Sequence, residues 1–155
     1  MAVVDGILDS TDRKVTGEAL QQALADLLNL GMLAKQAHWN LTGPHFRSLH
    51  GQLDDLADLA RRYADEVAER AVAVGFNPDG RAATVAAQST LPTLEHGDVE
   101  EGSAVEIVTD ALFALVRTLR QAVTDTATSD PVSQDLLITV TGAVEQQHWL
   151  FRAQR

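Results

Sequence analysis

The chain has no cysteine among its 155 residues, so it forms neither disulfides nor thiolate metal sites. Any metal it binds must rest on His, Asp and Glu. Aromatic residues are scarce at 5%, while alanine and leucine dominate, which favours helices over strands. No apolar run approaches the ~20 residues that a membrane span needs, so no membrane partner is expected. The first 14 residues show neither an apolar signal core nor an Arg-rich amphipathic pattern. A cytoplasmic protein is therefore expected, with association with the nucleoid as a variant of that location. Cations are also few: 12 Lys and Arg stand against 22 Asp and Glu, a net charge of -10. That balance argues against a general affinity for nucleic acid or anionic membrane, both of which need clustered cations. It suits a protein that attracts cations, or one whose acidic surface simply keeps it soluble.

What is present is helical periodicity. One stretch runs from about Thr16 to Leu41, with Leu20, Leu24, Leu27, Leu28 and residues 30–33 on one face. Thr42-Gly43-Pro44 stops it. A second runs from about Pro44 to Val74, with Phe46, Leu49, Leu53, Leu56, Leu59 and Tyr63 expected inward. Gly75 to Gly102 forms a long connection that holds Asn77-Pro78-Asp79-Gly80 and room for a short helix at 85–88. A third helix is expected from Ser103, with Ser103 and Glu106 as a capping box, to about Thr126. Asp130-Pro131 opens a fourth that reaches about Arg152. Two helices, a long crossover and two more helices predict an all-α, ferritin-like four-helix bundle, with a short helix in the crossover between helices 2 and 3. The chain reads as one domain over 1–155, with a short flexible segment at 1–14 at its start.

Five candidate ligands fall in one region: His38, His50, Asp54, Asp65 and Glu69. His50 and Asp54 are four apart and share a helix face, and so do Asp65 and Glu69. Mixed imidazole and carboxylate donors suit iron, zinc or manganese. Asp54 and Asp65 lie on nearly the same stripe but about 16 Å apart along the axis, at ~1.5 Å per residue. One chain cannot bring both pairs to one metal. Either the pairs are unrelated, or a second copy packs antiparallel and sets His50 and Asp54 of one chain against Asp65 and Glu69 of the other. An isolated acidic pair on a helix is usually solvated surface, so geometry alone leaves the matter open.

Lys35-Gln36-Ala37-His38-Trp39-Asn40-x-x-Gly43-Pro44-x-Phe46-x-x-Leu49-His50-x-x-Leu53-Asp54, followed in step by Asp65-Glu66-Val67-Ala68-Glu69-Arg70, resembles the signature of the Dps family of mini-ferritins. The likeness runs from about Val15 through Trp149 and includes Thr90-Leu91-Pro92 and Asp130-Pro131-Val132-x-x-Asp135-Leu136. The resemblance implies a hollow dodecamer of tetrahedral symmetry. In it, His38, His50 and Asp54 of one subunit meet Asp65 and Glu69 of its twofold mate. It implies oxidation of Fe(II), preferably by hydrogen peroxide, with ferric mineral kept inside and protection from oxidative stress as the result. Iron is then the one cofactor, and no organic group is needed. Trp39 resembles an aromatic near the iron centre that is proposed to quench radicals, and core packing or an interface serves equally well for it. Trp149 reads as a core or interface residue. Asp135, with Asp130 as a second candidate, matches the acidic channel through which iron enters, although Asp130 also fits a helix cap.

DNA binding is the alternative function that the family implies: condensation and protection of the nucleoid, with iron chemistry secondary. Here only Arg13 and Lys14 stand against Asp5, Asp9 and Asp12 near the start, and Arg152 and Arg155 near the end. The tails do not support it. A third possibility is a helical oligomer that binds zinc or manganese without oxidising anything. Glu145-x-x-His148 matches half of a di-iron motif by chance, because those sites need two copies. His45 and His96 are expected in turns, solvated.

Overall fold

The computed structural model describes residues 6–155. Five helices account for most of it: α1 Ser10–Asn40, α2 Phe46–Ala73, the short α3 Ala82–Gln88, α4 Glu101–Ser129 and α5 Pro131–Arg152. Two strands of two residues each, β1 Leu41–Thr42 and β2 Val99–Glu100, complete the order. The four long helices are the all-α bundle expected, and α3 lies in the crossover between the second and third of them.

Each boundary has a local cause. Asp9 caps α1 by accepting from the N–H groups of Thr11 and Asp12, both at 2.9 Å. The helix therefore starts at Ser10 rather than near Thr16. Residues 10–14 are helical, not part of a flexible segment, and residues 1–5 of that expected segment lie outside the described residues. Glu100, not Ser103, caps α4, accepting from the Ser103 N–H at 3.2 Å. The expected capping box gives way because β2 pairs with β1 and fixes the backbone up to Glu100. Asp130 caps α5 as expected, with Pro131 at its first turn.

The apolar stripes meet in one core. Leu20, Leu27 and Leu30 of α1, Leu53, Leu56 and Val67 of α2, Leu112, Leu115 and Leu119 of α4, and Leu137 and Val140 of α5 are fully buried. α1 packs chiefly on α2, α4 on α5, and α1 against α4 closes the bundle. Phe46 is not an inward residue: it is the first residue of α2 and 40% exposed. Gly17 is required by packing, since a Cβ there would stand 2.1 Å from the Phe76 ring.

The two ends of the bundle are tied differently. At one end β1 runs parallel to β2, pairing Leu41 with Val99 and Thr42 with Glu100. This gathers the end of α1 and the starts of α2 and α4. The turn before α2 needs Gly43, whose φ of +144° other residues rarely adopt. At the other end Arg70 donates to Asp130 at 2.7 Å, joining the end of α2 to the start of α5. Between the ends, the crossover is anchored by Asp26, which is fully buried in α1. Its carboxylate accepts from Ser89 Oγ at 3.0 Å, Thr90 N–H at 2.6 Å and Thr90 Oγ1 at 2.8 Å.

Replacing Asp26 with alanine strands those three donors. Denaturant unfolding should show a loss of about 2–4 kcal/mol, the scale for a buried charged acceptor removed from its partners. A loss below about 0.5 kcal/mol would mean that water takes over its role.

Candidate metal centre

His38 lies in the last full turn of α1 and His50 in the second turn of α2, so the β1 turn brings them face to face. Nδ1 of His38 lies 2.7 Å from the carbonyl oxygen of His50, and Nδ1 of His50 lies 2.9 Å from the carbonyl oxygen of His38. A carbonyl only accepts, so each Nδ1 carries the proton and donates. Nε2 of each ring has no hydrogen-bond partner among the described residues and is the atom available to a metal, the arrangement by which outer hydrogen bonds orient imidazole ligands. The rings stack with centroids 3.5 Å apart and planes within 15°. Phe46 extends the stack onto His50 at 4.8 Å. Both imidazoles are half-buried and cannot turn without losing a hydrogen bond.

Asp54 stands one turn beyond His50, half-exposed, and is hydrogen-bonded to Lys35 of α1. That bond holds its carboxyl below the usual carboxylate range, reinforced by the positive field of Lys35. Asp65 and Glu69 are exposed further along α2 and have no hydrogen bond or ion pair among the described residues. α2 is one unbroken helix, so the second pair stays far from the first. Among the described residues no three His, Asp or Glu of one chain gather around a common point. The chain alone thus presents two half-sites: an imidazole pair with Asp54 nearby, and a separate carboxylate pair.

The other candidates divide. Asp130 is 5% exposed. Besides Arg70 it accepts from the N–H and Oγ of Ser133 and from the N–H of Val132. Burial would raise its pKa, but the hydrogen bonds from Arg70 and Ser133 and the guanidinium charge outweigh this and hold it low. Its oxygens are occupied, so it caps α5 rather than lining a channel. Asp135 is exposed on α5, with its side chain unpartnered among the described residues. Trp39 and Trp149 are not core residues, being 69% and 56% exposed. His45 is exposed but not merely solvated. Its N–H donates to Glu101 at 2.8 Å and its Nδ1 lies 2.9 Å from the same carboxylate, holding Glu101 below the usual range. His96 is exposed. Glu145 is taken by Arg120, while His148 packs beside Phe113 at 5.7 Å, so the Glu-x-x-His pair makes no site. Sequence reasoning overlooked Lys35 and the ring stack of Phe46. The signal for Lys35 was its place three residues before His38, on the same helix face.

A family model described as a ferritin-like domain matches residues 17–155. The DNA protection during starvation protein 2 of Deinococcus radiodurans is 35% identical over 142 residues, covering 92% of this chain and 59% of that protein. The chain thus spans well under two thirds of that relative. The DNA protection during starvation protein of Mycolicibacterium smegmatis is 32% identical over 148 residues, covering 92% of this chain and 79% of the relative. Dps from Microbacterium arborescens, solved in its high-iron form, superposes with a TM-score of 0.90 at 27% identity, over 94% of this chain and 95% of that one.

The depressed pKa of Asp130 sets a pH dependence. Its stabilisation is fully present above the ordinary carboxyl value of 3.8 and is lost as pH falls through the lower folded value. Asp130→Asn should therefore be less stable than the parent at neutral pH. The gap in melting temperature should narrow as pH is taken below 4, because protonation removes from the parent the charge that asparagine never carries. A constant gap across that range would assign the loss to packing alone.

Proposed function

The chain belongs to the Dps family of ferritin-like proteins, and from that premise we propose that it is a ferroxidase and iron-storage subunit whose reacting site is shared between two copies. The observation that carries this reading is the His38–His50 pair, with both Nδ1 atoms engaged by backbone carbonyls and both Nε2 atoms left as metal donors. Neutral imidazole and hard carboxylate together hold Fe(II) while leaving positions open for an oxidant. Asp54 completes one half, and Asp65 and Glu69 of a twofold-related copy supply the other. Two antiparallel α2 helices cancel the offset that separates the pairs within one chain.

An uncovered apolar surface beside the half-site supports a partner there. Met32 is 52% and Trp39 69% exposed on α1, and they border an open cleft of ≈ 690 Å³ with Leu28, Pro92, Leu94 and Arg61. A second copy covering this face places Trp39 near the iron, in an interface rather than in solvent. A closed shell of such dimers, the dodecamer of the family, keeps the ferric product inside. Asp135 is the channel carboxylate in this reading, drawing cations inward.

In the reaction each Fe(II) gives up one electron. Hydrogen peroxide takes two, its O–O bond breaks, and the oxygens leave as hydroxide or water. The ferric ions then hydrolyse and release protons as mineral forms. Consuming ferrous iron and peroxide together removes both precursors of the hydroxyl radical. That serves the protection of DNA named in the relatives without contact with it, which a net charge of -10 disfavours. No helix among the described residues is long and apolar enough to cross a membrane.

Two variants test the shared site. Subunits carrying His50→Ala with Asp54→Ala, or Asp65→Ala with Glu69→Ala, should each assemble yet oxidise Fe(II) with peroxide at least about 100-fold more slowly, beyond the roughly 10- to 100-fold scale for losing a ligand's outer hydrogen-bond partner. Dissociated, mixed in equal amounts and reassembled, the two should recover roughly a quarter of the parent rate, since half of the random dimers regain one of their two sites. No recovery from well-formed mixed particles would place the chemistry within one chain. In gel-shift assays at physiological salt, linear DNA should run unretarded. Saturable retention there would restore the DNA-condensing alternative.

A further inference from the structure

Lys35 lies on α1 one turn before His38 and reaches across to α2, where its ammonium donates to Oδ1 of Asp54. Lysine cannot serve as a ligand here, because an ammonium carries three donors and no lone pair. It nevertheless occupies Oδ1 of Asp54, one of the two oxygens through which that carboxylate could meet a metal, and sets a positive charge where the metal would sit. We propose that Lys35 is a built-in competitor at the half-site, closing Asp54 while no metal is present and swinging away before the carboxylate can ligate Fe(II). The inference rests on the reading of Asp54 as an iron ligand.

Three features of the structure carry it. The pair is neither sealed in the core nor loose in water: the side chains are 30% exposed for Lys35 and 46% for Asp54. An ion pair of that exposure is held weakly enough to exchange. The lysine also has somewhere to go. Its ammonium sits at the end of a flexible four-carbon stem, so rotation of that stem moves the charge off Asp54 without moving α1. Finally, the exchange is selective in charge. A monovalent ammonium held by one carboxylate yields to a divalent ion that also engages two imidazole lone pairs. It holds its ground against ions that the imidazoles bind poorly. Lys35 thereby sets the free-metal level at which the site fills, and meanwhile offsets one of the negative charges on α2, where Asp54, Asp55, Asp58, Asp65 and Glu69 all lie.

Titration of the metal-free assembled protein with Co(II), an oxidation-inert stand-in followed by its visible absorption, reads this directly. Lys35→Met should bind Co(II) about three- to tenfold more tightly, because the site no longer spends most of its time closed. Lys35→Arg keeps the charge and should stay within about twofold of the parent. In an Asp54→Asn background, Lys35→Met should change nothing, since the competition needs the carboxylate. Light scattering checks that each variant forms the parent particle. Unchanged or weaker Co(II) binding in Lys35→Met would show a lysine that props the site rather than contests it. Parent-like binding in Asp54→Asn alone is a distinct failure. It removes Asp54 from the ligand set, and the competitor with it.

Discussion

An α-helix is a rod, and the rigidity of α2 is the constraint on which the proposed chemistry depends. From Phe46 to Ala73 the helix is unbroken, with no proline inside it. Its two potential ligand pairs are therefore held about 16 Å apart at ~1.5 Å per residue, and no side-chain rotation closes that distance. One chain can be well folded and still hold no complete site. The proposed site therefore links assembly to activity: in that reading, a subunit that has lost its partner has only half of the ligands.

The preorganised part of the half-site is the imidazole part. His38 and His50 hold each other by paired hydrogen bonds to backbone, so each ring's tautomer and direction are fixed before any metal arrives. The carboxylates are treated otherwise: Asp54 is engaged by Lys35, while Asp65 and Glu69 project into solvent. Electrostatics explains the difference. The imidazole rings stack at 3.5 Å, whereas carboxylates held equally close with no cation between them would repel one another. In the proposed shared site, the anionic donors would converge only around a divalent ion supplied between two chains.

Most of the bundle is legible in the chain because helical periodicity and Gly-Pro punctuation are local signals. The stripe from Leu20 to Leu30, the break at Gly43-Pro44 and the Asp130-Pro131 start all stand where the sequence places them. Sequence and structure part where a long-range contact overrules a local pattern. Ser103-x-x-Glu106 is a sound capping box in isolation, yet pairing of β2 with β1 ends the extended chain at Glu100 and lets that residue cap first. Asp9 does not stand out because Asp5, Asp9 and Asp12 look alike in sequence, whereas in the structure the Asp9 carboxylate accepts from the Thr11 and Asp12 N–H groups. Hydrophobicity alone points Phe46 inward and makes the two tryptophans candidates for the core. An apolar residue at a helix end or on an unpaired face has no core to enter. For the site, identity and spacing are visible, while the reciprocal imidazole lock is not. It depends on two backbone carbonyls, and backbone position is not written in any one residue.

Asp130 shows why a charged residue near the start of a helix needs its surroundings before a role is given to it. Two acids open α5, five residues apart, and either fits a cation channel by sequence. Arg70 engages only one of them. It comes from the end of α2, next to Glu69, and its guanidinium engages both Asp130 and Ser133, at 2.7 and 2.9 Å. An acid so paired offers no charge to a passing cation, whereas exposed Asp135 keeps its own. The same contact ties the end of α2 that carries Glu69 to the end of α5 that carries Asp135. A proposed ligand and a proposed entry residue are thereby braced by one buried ion pair, which also caps the helix between them. Breaking it disturbs both roles together, so a loss of iron uptake after a change at Arg70 or Asp130 speaks for positioning and not for direct contact with the metal.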